Sequence, residues 1–138
     1  MRGLQGLIRL NRWKLAAMRR RLDELEGLAT SLKGERDKLA AELVSEGTAA
    51  AADFESGRAY SAYVAGAVSR RQSLEDSLEE LQEQIYAAHA EVGAAYAEVK
   101  RFEIAAQQRR DEAERSRKRR EQAVYDEIGI DRHRRAGR

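Results

Sequence analysis

The densest cluster of charge in the sequence is RSRKRR, residues 115–120, in which five of six side chains are cationic. They are Arg115, Arg117, Lys118, Arg119 and Arg120. Such a cluster can bind nucleic-acid phosphates, with steep salt dependence, or dock on an acidic protein surface. It can also be a solvated helix face without a specific partner. Arginine outnumbers lysine by 21 to 5, which suits bidentate pairing with carboxylates.

The surroundings of this cluster argue against a nucleic-acid partner, although that alternative stays open. Acidic residues are interspersed with the cations at Asp111, Glu112, Glu114 and Glu121. No aromatic side chains that could stack on bases alternate with the basic ones. Electrostatic docking on an acidic protein surface is therefore the favoured interpretation.

No group of residues in the sequence has the types and spacing of an enzyme site. His89 and His133 are the only histidines and lie far apart in the chain. The acidic stretch EDSLEEL, residues 75–81, could bind a cation, but a solvated helix face is the favoured interpretation. There is no GxxxxGK loop for phosphates. We expect a protein that is not an enzyme, with no catalytic residues, cofactor, metal or small-molecule substrate.

The elements that must carry the basic cluster are helices. The sequence contains no proline and no cysteine, and 80 of its 138 residues are Ala, Glu, Lys, Leu or Arg. Two segments carry apolar residues at alternating spacings of three and four, the heptad pattern of a coiled coil. The first seam is Leu4, Ile8, Asn11, Leu15, Met18, Leu22, Leu25, Ala29, Leu32, Arg36, Leu39 and Leu43. The second seam is Tyr60, Val64, Ala67, Arg71, Leu74, Leu78, Leu81, Ile85, Ala88, Val92, Ala95, Val99, Phe102 and Ala106.

Three polar residues interrupt the seams. Asn11 could fix the register of the helices at some cost in stability. Arg36 and Arg71 are expected to extend outward to solvent. Trp13 lies off the seam, where it packs over the edge of the helix pair or contacts a partner.

The stretch SEGTAAAADFESG, residues 45–57, predicts a turn between the seams because glycines bracket its alanine run. The fold class is therefore all-α, a long two-helix antiparallel coiled-coil hairpin whose second helix is longer and overhangs. The expected boundaries are helix 1 over about 3–46, a hinge over about 47–57, helix 2 over about 58–128 and a basic tail over 129–138, all in a single domain. The alternative is one continuous helix in a parallel homodimeric scaffold, because the heptad phase is kept across the turn.

Charge is unevenly distributed along the chain. Residues 1–22 contain seven cations and no acid, residues 23–99 contain six cations and sixteen acids, and residues 100–138 contain thirteen cations and eight acids. A hairpin brings both basic ends to one pole. At the hinge, Tyr60 occupies a seam position, whereas Phe54 and Tyr63 are candidates for exposed contact residues.

Two strings resemble a known family. The C-terminal RREQAVYDEIGIDRHRR, residues 119–135, and the N-terminal LIRLNRWKL, residues 7–15, are similar to the flagellar export protein FliJ. The type III secretion stalk proteins are its relatives. The resemblance covers nearly the whole chain through its two-helix architecture.

The resemblance implies a non-enzymatic stalk similar to that of rotary ATPases. Its terminal pole would insert into a hexameric export ATPase ring and promote ring assembly, while the hinge half would contact the cytoplasmic domain of the export gate. Members also help to recycle substrate chaperones. The implied location is cytoplasmic, at the inner membrane only through partners. By position, Arg19, Arg20 and Arg21 and the five cations of residues 115–120 would face the ATPase, and Phe54, Tyr60 and Tyr63 would face the gate.

Overall fold

The computed structural model describes residues 2–51 and 54–137, with the side chains of residues 2, 50 and 54–58 excepted. The chain forms two α-helices, α1 over Arg2–Ala50 and α2 over Phe54–Ala136. The described ranges contain no β-strand. The fold is an antiparallel two-helix coiled-coil hairpin with a longer second helix, as the heptad pattern predicted, and is not the single continuous helix of the parallel scaffold.

Both helices extend further than their expected boundaries. Helix α1 ends at Ala50 and α2 begins at Phe54, so each enters the stretch that was expected to be the hinge. Gly47 lies within α1 and its φ is not positive, and the Thr48 hydroxyl donates to the Val44 carbonyl at 3.0 Å. Most of the expected tail also belongs to α2, whose last turn carries His133, Arg134 and Arg135. Cations in the last turn stabilise a helix through its dipole.

Residues 14–94 form one compact group of contacts. Its main core cluster contains Leu22, Leu25, Ala29, Leu78, Leu81 and Ala88, with Leu32, Ile85 and Val92 packed against it. A second cluster contains Leu39, Ala67 and Leu74. These are the predicted seam positions of both helices. His89 and Glu26 also pair across the helices, with Nε2 and Oε1 3.2 Å apart.

Met1–Trp13 and Ala95–Arg138 form the other group, which we call the terminal unit. Its core cluster contains Leu4, Ile8 and Ala106, with Phe102 and Ala105 packed against it. Asn11 is only partly buried here, and its side-chain amide donates to the Leu7 carbonyl of its own helix at 2.8 Å. The side-chain amide of Asn11 therefore finds its hydrogen-bond partner within α1. Among the described residues, it makes no hydrogen bond to α2 that could fix the register of the two helices.

Neither helix has a described segment that is both long enough and apolar enough to cross a bilayer.

Candidate functional site

The most exposed element of the terminal unit is the part of α2 that follows Ala106. Ala106 is buried, whereas every described side chain from Gln107 to Gly137 is exposed except that of Ser116, which is half-buried. We call residues 107–136 the overhang. The overhang keeps its helical form because of helix propensity and local side-chain pairs.

Several arginines of the overhang pair with acids of the same helix. Glu112 binds Arg115 at 3.0 Å and Arg119 at 3.3 Å, and Glu114 binds Arg117 at 2.6 Å. Hydrogen bonds from Arg115 and then Arg119 lower the pKa of the Glu112 carboxyl. Three of the five cations of residues 115–120 are thus partly neutralised within the helix.

Lys118 and Arg120 differ from these three. Among the described residues, neither forms an ion pair, and Arg120 Nε only donates to the Ser116 carbonyl at 3.5 Å. Both side chains are exposed. Within the cluster, these two residues therefore carry the charge that no acid of the described residues offsets, whereas Arg117 is exposed but paired with Glu114.

Apolar side chains accompany the cations along the overhang. Val124, Tyr125, Ile128 and Ile130 are all exposed. Arg117, Arg120, Val124 and Ile128 follow each other at spacings of three or four, which places them on one side of the helix. We call these four residues the overhang stripe, and Tyr125 lies next to it in sequence. A stripe with both cations and apolar side chains can bind a protein surface that has acidic and apolar groups.

The apolar half of the stripe was not identified from the sequence. Val124 and Ile128 lie off the continuation of the heptad seam, so the heptad pattern does not single them out. The signal that could have identified them was the presence of large apolar residues where the helix has no core to bury them in.

A second feature of the terminal unit joins its two helices near the overhang. Arg12 of α1 binds Glu103 at 2.9 Å, and Lys100 binds the other carboxylate oxygen of Glu103 at 3.2 Å. Hydrogen bonds from Arg12 and then Lys100 lower the pKa of the Glu103 carboxyl. Lys100 Nζ also lies 5.4 Å from the centre of the Tyr96 ring. The overhang therefore begins beside a charged contact that links α1 and α2.

The other predicted cations lie elsewhere. Arg19, Arg20 and Arg21 occupy consecutive exposed positions of α1 in the group of residues 14–94, whereas residues 115–120 belong to the terminal unit. Whether all eight cations contact one partner stays a prediction.

The hinge-side aromatic residues are in three different situations. Tyr60 is half-buried, and a Cβ at Gly47 would lie 3.0 Å from its hydroxyl oxygen, so Tyr60 packs on Gly47. Tyr63 is exposed, and its hydroxyl donates to Glu42 at 3.5 Å. Partial burial raises the pKa of the Tyr63 hydroxyl, and Glu42 raises it further. The side chain of Phe54 lies outside the described residues. Their contact with an export gate stays a prediction.

The described residues contain no cluster of histidine and acidic side chains that could hold a metal ion.

Comparison with known proteins gives one result that covers nearly the whole chain. A sequence profile of the family described as Flagellar FliJ protein matches residues 12–138. The matched range includes the overhang and all of α2. No significant match was found among curated proteins, and none was found among solved structures.

Proposed function

The chain belongs to the flagellar FliJ protein family and is a component of the flagellar export apparatus, and from that premise we propose that it acts there as a non-enzymatic stalk. In this role the terminal unit docks on the ring of the hexameric export ATPase and promotes ring assembly. The chain then works in the cytoplasm as an adaptor between the ATPase, the cytoplasmic domain of the export gate and substrate chaperones.

The overhang is the observation that supports this proposal most directly. About thirty residues of helix continue past the last buried residue with almost every side chain exposed. Exposed apolar residues without a core usually mark a surface that another molecule covers. A helix that enters a ring needs this geometry, because its side chains must be free on all sides.

The charges of the overhang suit a protein partner better than a nucleic acid. Glu112 and Glu114 already hold three of the arginines, which would weaken phosphate binding. The overhang stripe combines Arg117 and Arg120 with Val124 and Ile128, a mixture typical of protein interfaces. Arg120, which pairs with no acid among the described residues, would orient the stalk electrostatically, and the apolar half of the stripe would then be buried.

The proposed contact with the export gate rests on position in the hairpin. Among the described hinge-side aromatic residues, Tyr63 has an exposed side chain. Its hydroxyl donates a hydrogen bond to Glu42, which restricts the side chain. A held aromatic side chain loses little entropy on binding and can anchor an interface. Tyr60 contributes indirectly by packing on Gly47.

The test is stimulation of the cognate export ATPase by the purified chain. The variant Arg117→Glu/Arg120→Glu reverses the two cations of the stripe, and we expect stimulation to require about tenfold more protein. The control Lys33→Glu/Lys38→Glu makes the same change of net charge at exposed lysines of α1 and should leave stimulation unchanged.

Two results would count against the proposal. Equal loss in both variants would indicate a general charge effect without a docking surface. Duplex DNA binding that falls steeply with salt, with no effect on the ATPase, would instead support the nucleic-acid alternative. Far-ultraviolet circular dichroism of each variant checks that the helices remain.

A further inference from the structure

Three large apolar side chains on α1 lie outside both the core and the overhang. Leu7, Leu10 and Trp13 are 43%, 46% and 66% exposed, although Leu4 and Ile8 of the same helix segment are buried. Their spacing of three residues places them along one outer side of α1. We call these three residues the outer apolar face. None of its three residues belongs to the core cluster of the terminal unit.

Two glycines lie beside the outer apolar face on the same side of α1. Gly3 and Gly6 each precede one of the two leucines by four residues, so they lie on the same side. A Cβ built on either glycine would meet nothing within 4 Å. A flat surface could therefore approach the helix backbone closely beside the leucines.

The charge around the outer apolar face is entirely positive on its own helix segment. Residues 3–13 contain Arg9 and Arg12 and no acid, and the first 22 residues contain seven cations and no acid. Arg12 remains largely exposed although it binds Glu103. By contrast, the exposed Leu28 of α1 follows Asp23, Glu24 and Glu26. The occupant of the outer apolar face must therefore tolerate apolar groups and carry negative charge.

We propose that the outer apolar face binds the surface of an anionic lipid bilayer. Helices that lie in the bilayer interface present Trp and Leu to the acyl boundary and Arg or Lys to the headgroups. Tryptophan favours the headgroup level because its ring is apolar and its N–H is polar. Cations near an anionic bilayer add electrostatic attraction. Contact with the membrane is then direct and does not depend on a protein partner.

The small size of the face favours lipid over an acidic protein. A stable protein interface usually buries about 800 Å² on each partner. Three side chains on one helix are few for such an interface, whereas shallow insertion into a bilayer needs only a short apolar strip beside cations. An acidic protein partner is the competing outcome that the experiment must separate.

Trp13 makes the experiment direct, because it is the only tryptophan in the chain. The full chain is titrated with vesicles of phosphatidylglycerol and phosphatidylcholine, and with vesicles of phosphatidylcholine alone. We expect the emission of Trp13 to shift to shorter wavelength only with the anionic vesicles. The chain should also float with those vesicles in a density gradient.

The variant Leu7→Gln/Leu10→Gln removes the apolar contribution and keeps Trp13 as the reporter. We expect it to lower the association constant for anionic vesicles at least about tenfold. The control Leu28→Gln changes a leucine of α1 that is somewhat more exposed than Leu7 and Leu10, and it should bind like the unaltered chain. Raising salt from about 0.1 M to about 1 M shortens the Debye length from about 10 Å to about 3 Å and should also weaken binding.

Two outcomes would overturn the proposal. One is equal binding of anionic vesicles by the unaltered chain and by Leu7→Gln/Leu10→Gln, since the leucines would then contribute nothing. The other is a shift of Trp13 emission with poly-glutamate but not with anionic vesicles, which would assign the face to acidic protein. Circular dichroism of the double variant shows whether its helices are retained.

Discussion

At the scale of single residues, Glu103 connects the two helices of the terminal unit. Its carboxylate accepts hydrogen bonds from Arg12 of α1 and from Lys100 of α2, and these lower the pKa of Glu103. The other ion pairs of the terminal unit join residues of α2 to each other. Among the described residues of this unit, Arg12–Glu103 is therefore the ion pair that ties one helix to the other.

This ion pair predicts a pH dependence of stability. Because the pKa of Glu103 is lowered in the folded chain, its contribution is present above the unfolded value, about 4.3, and is lost as the pH falls through the folded value. A double-mutant cycle with Arg12→Gln and Glu103→Gln, measured by urea unfolding, should show coupling at about pH 7 that shrinks by about pH 3.

Glu98→Gln serves as the control because Glu98 pairs only with Arg101 of its own helix in the described structure. Its effect on stability should be smaller than that of Glu103→Gln. A coupling between Arg12 and Glu103 that is the same at both pH values would contradict the assigned role of the carboxylate.

At the scale of the helices, several residues of the seam and of α2 contribute little to the stability of the hairpin. Alanines occupy several of its buried positions, including Ala29, Ala67, Ala88 and Ala106, and an alanine buries little apolar area. Gly66 and Gly93 lie within α2, where glycine costs about 1 kcal/mol relative to alanine. A Cβ at either position would meet nothing within 4 Å. These glycines therefore lower helix stability without serving the packing.

We predict that Gly66→Ala and Gly93→Ala each raise the free energy of unfolding by about 1 kcal/mol. Gly47→Ala is the matched control, since its Cβ would lie 3.0 Å from the Tyr60 hydroxyl and the gain should be smaller. Urea unfolding followed by circular dichroism at a fixed pH measures all three. Destabilisation by Gly66→Ala or Gly93→Ala would show that a close contact exists at that glycine.

The heptad pattern predicted which residues form the core, because burial of Leu22, Leu25, Leu78 and Leu81 follows from their spacing alone. It could not predict where α1 ends, since the alanines after Thr48 favour a helix whereas Gly47 and Gly57 favour a turn. Ile128 was missed for another reason. Whether an off-seam residue is buried or exposed depends on which other parts of the fold pack beside it, and the spacing of residues in the sequence does not give that information.

At the scale of the whole molecule, the hairpin brings together residues that are far apart in the sequence. The first 13 residues share a compact unit with residues 95–138, so both basic ends of the sequence contribute to the terminal unit. In the other unit, Glu26 and His89 lie side by side although 63 residues separate them in sequence. A continuous helix would hold those two residues about 95 Å apart, at 1.5 Å of rise per residue.

Spin labels provide a test of this fold, because the native chain has no cysteine. With labels at Glu26→Cys and His89→Cys, electron paramagnetic resonance should give a distance of about 10–15 Å, as neighbouring helices at 8–10 Å plus label length require. The pair Glu75→Cys and His89→Cys lies on one helix and should give about 21 Å. A short distance in the single variant Glu26→Cys alone would indicate a parallel homodimer instead.

The exposure of the overhang has a further consequence for turnover in the cell. Its arginyl and lysyl bonds are accessible to proteases, which cleave a helix only after it opens locally. In the proposed stalk role, a ring that encloses the overhang would hold this helix closed and shield those bonds. Copies without a ring would then be degraded first, so the supply of stalks would adjust to the number of assembled rings without any dedicated control of synthesis.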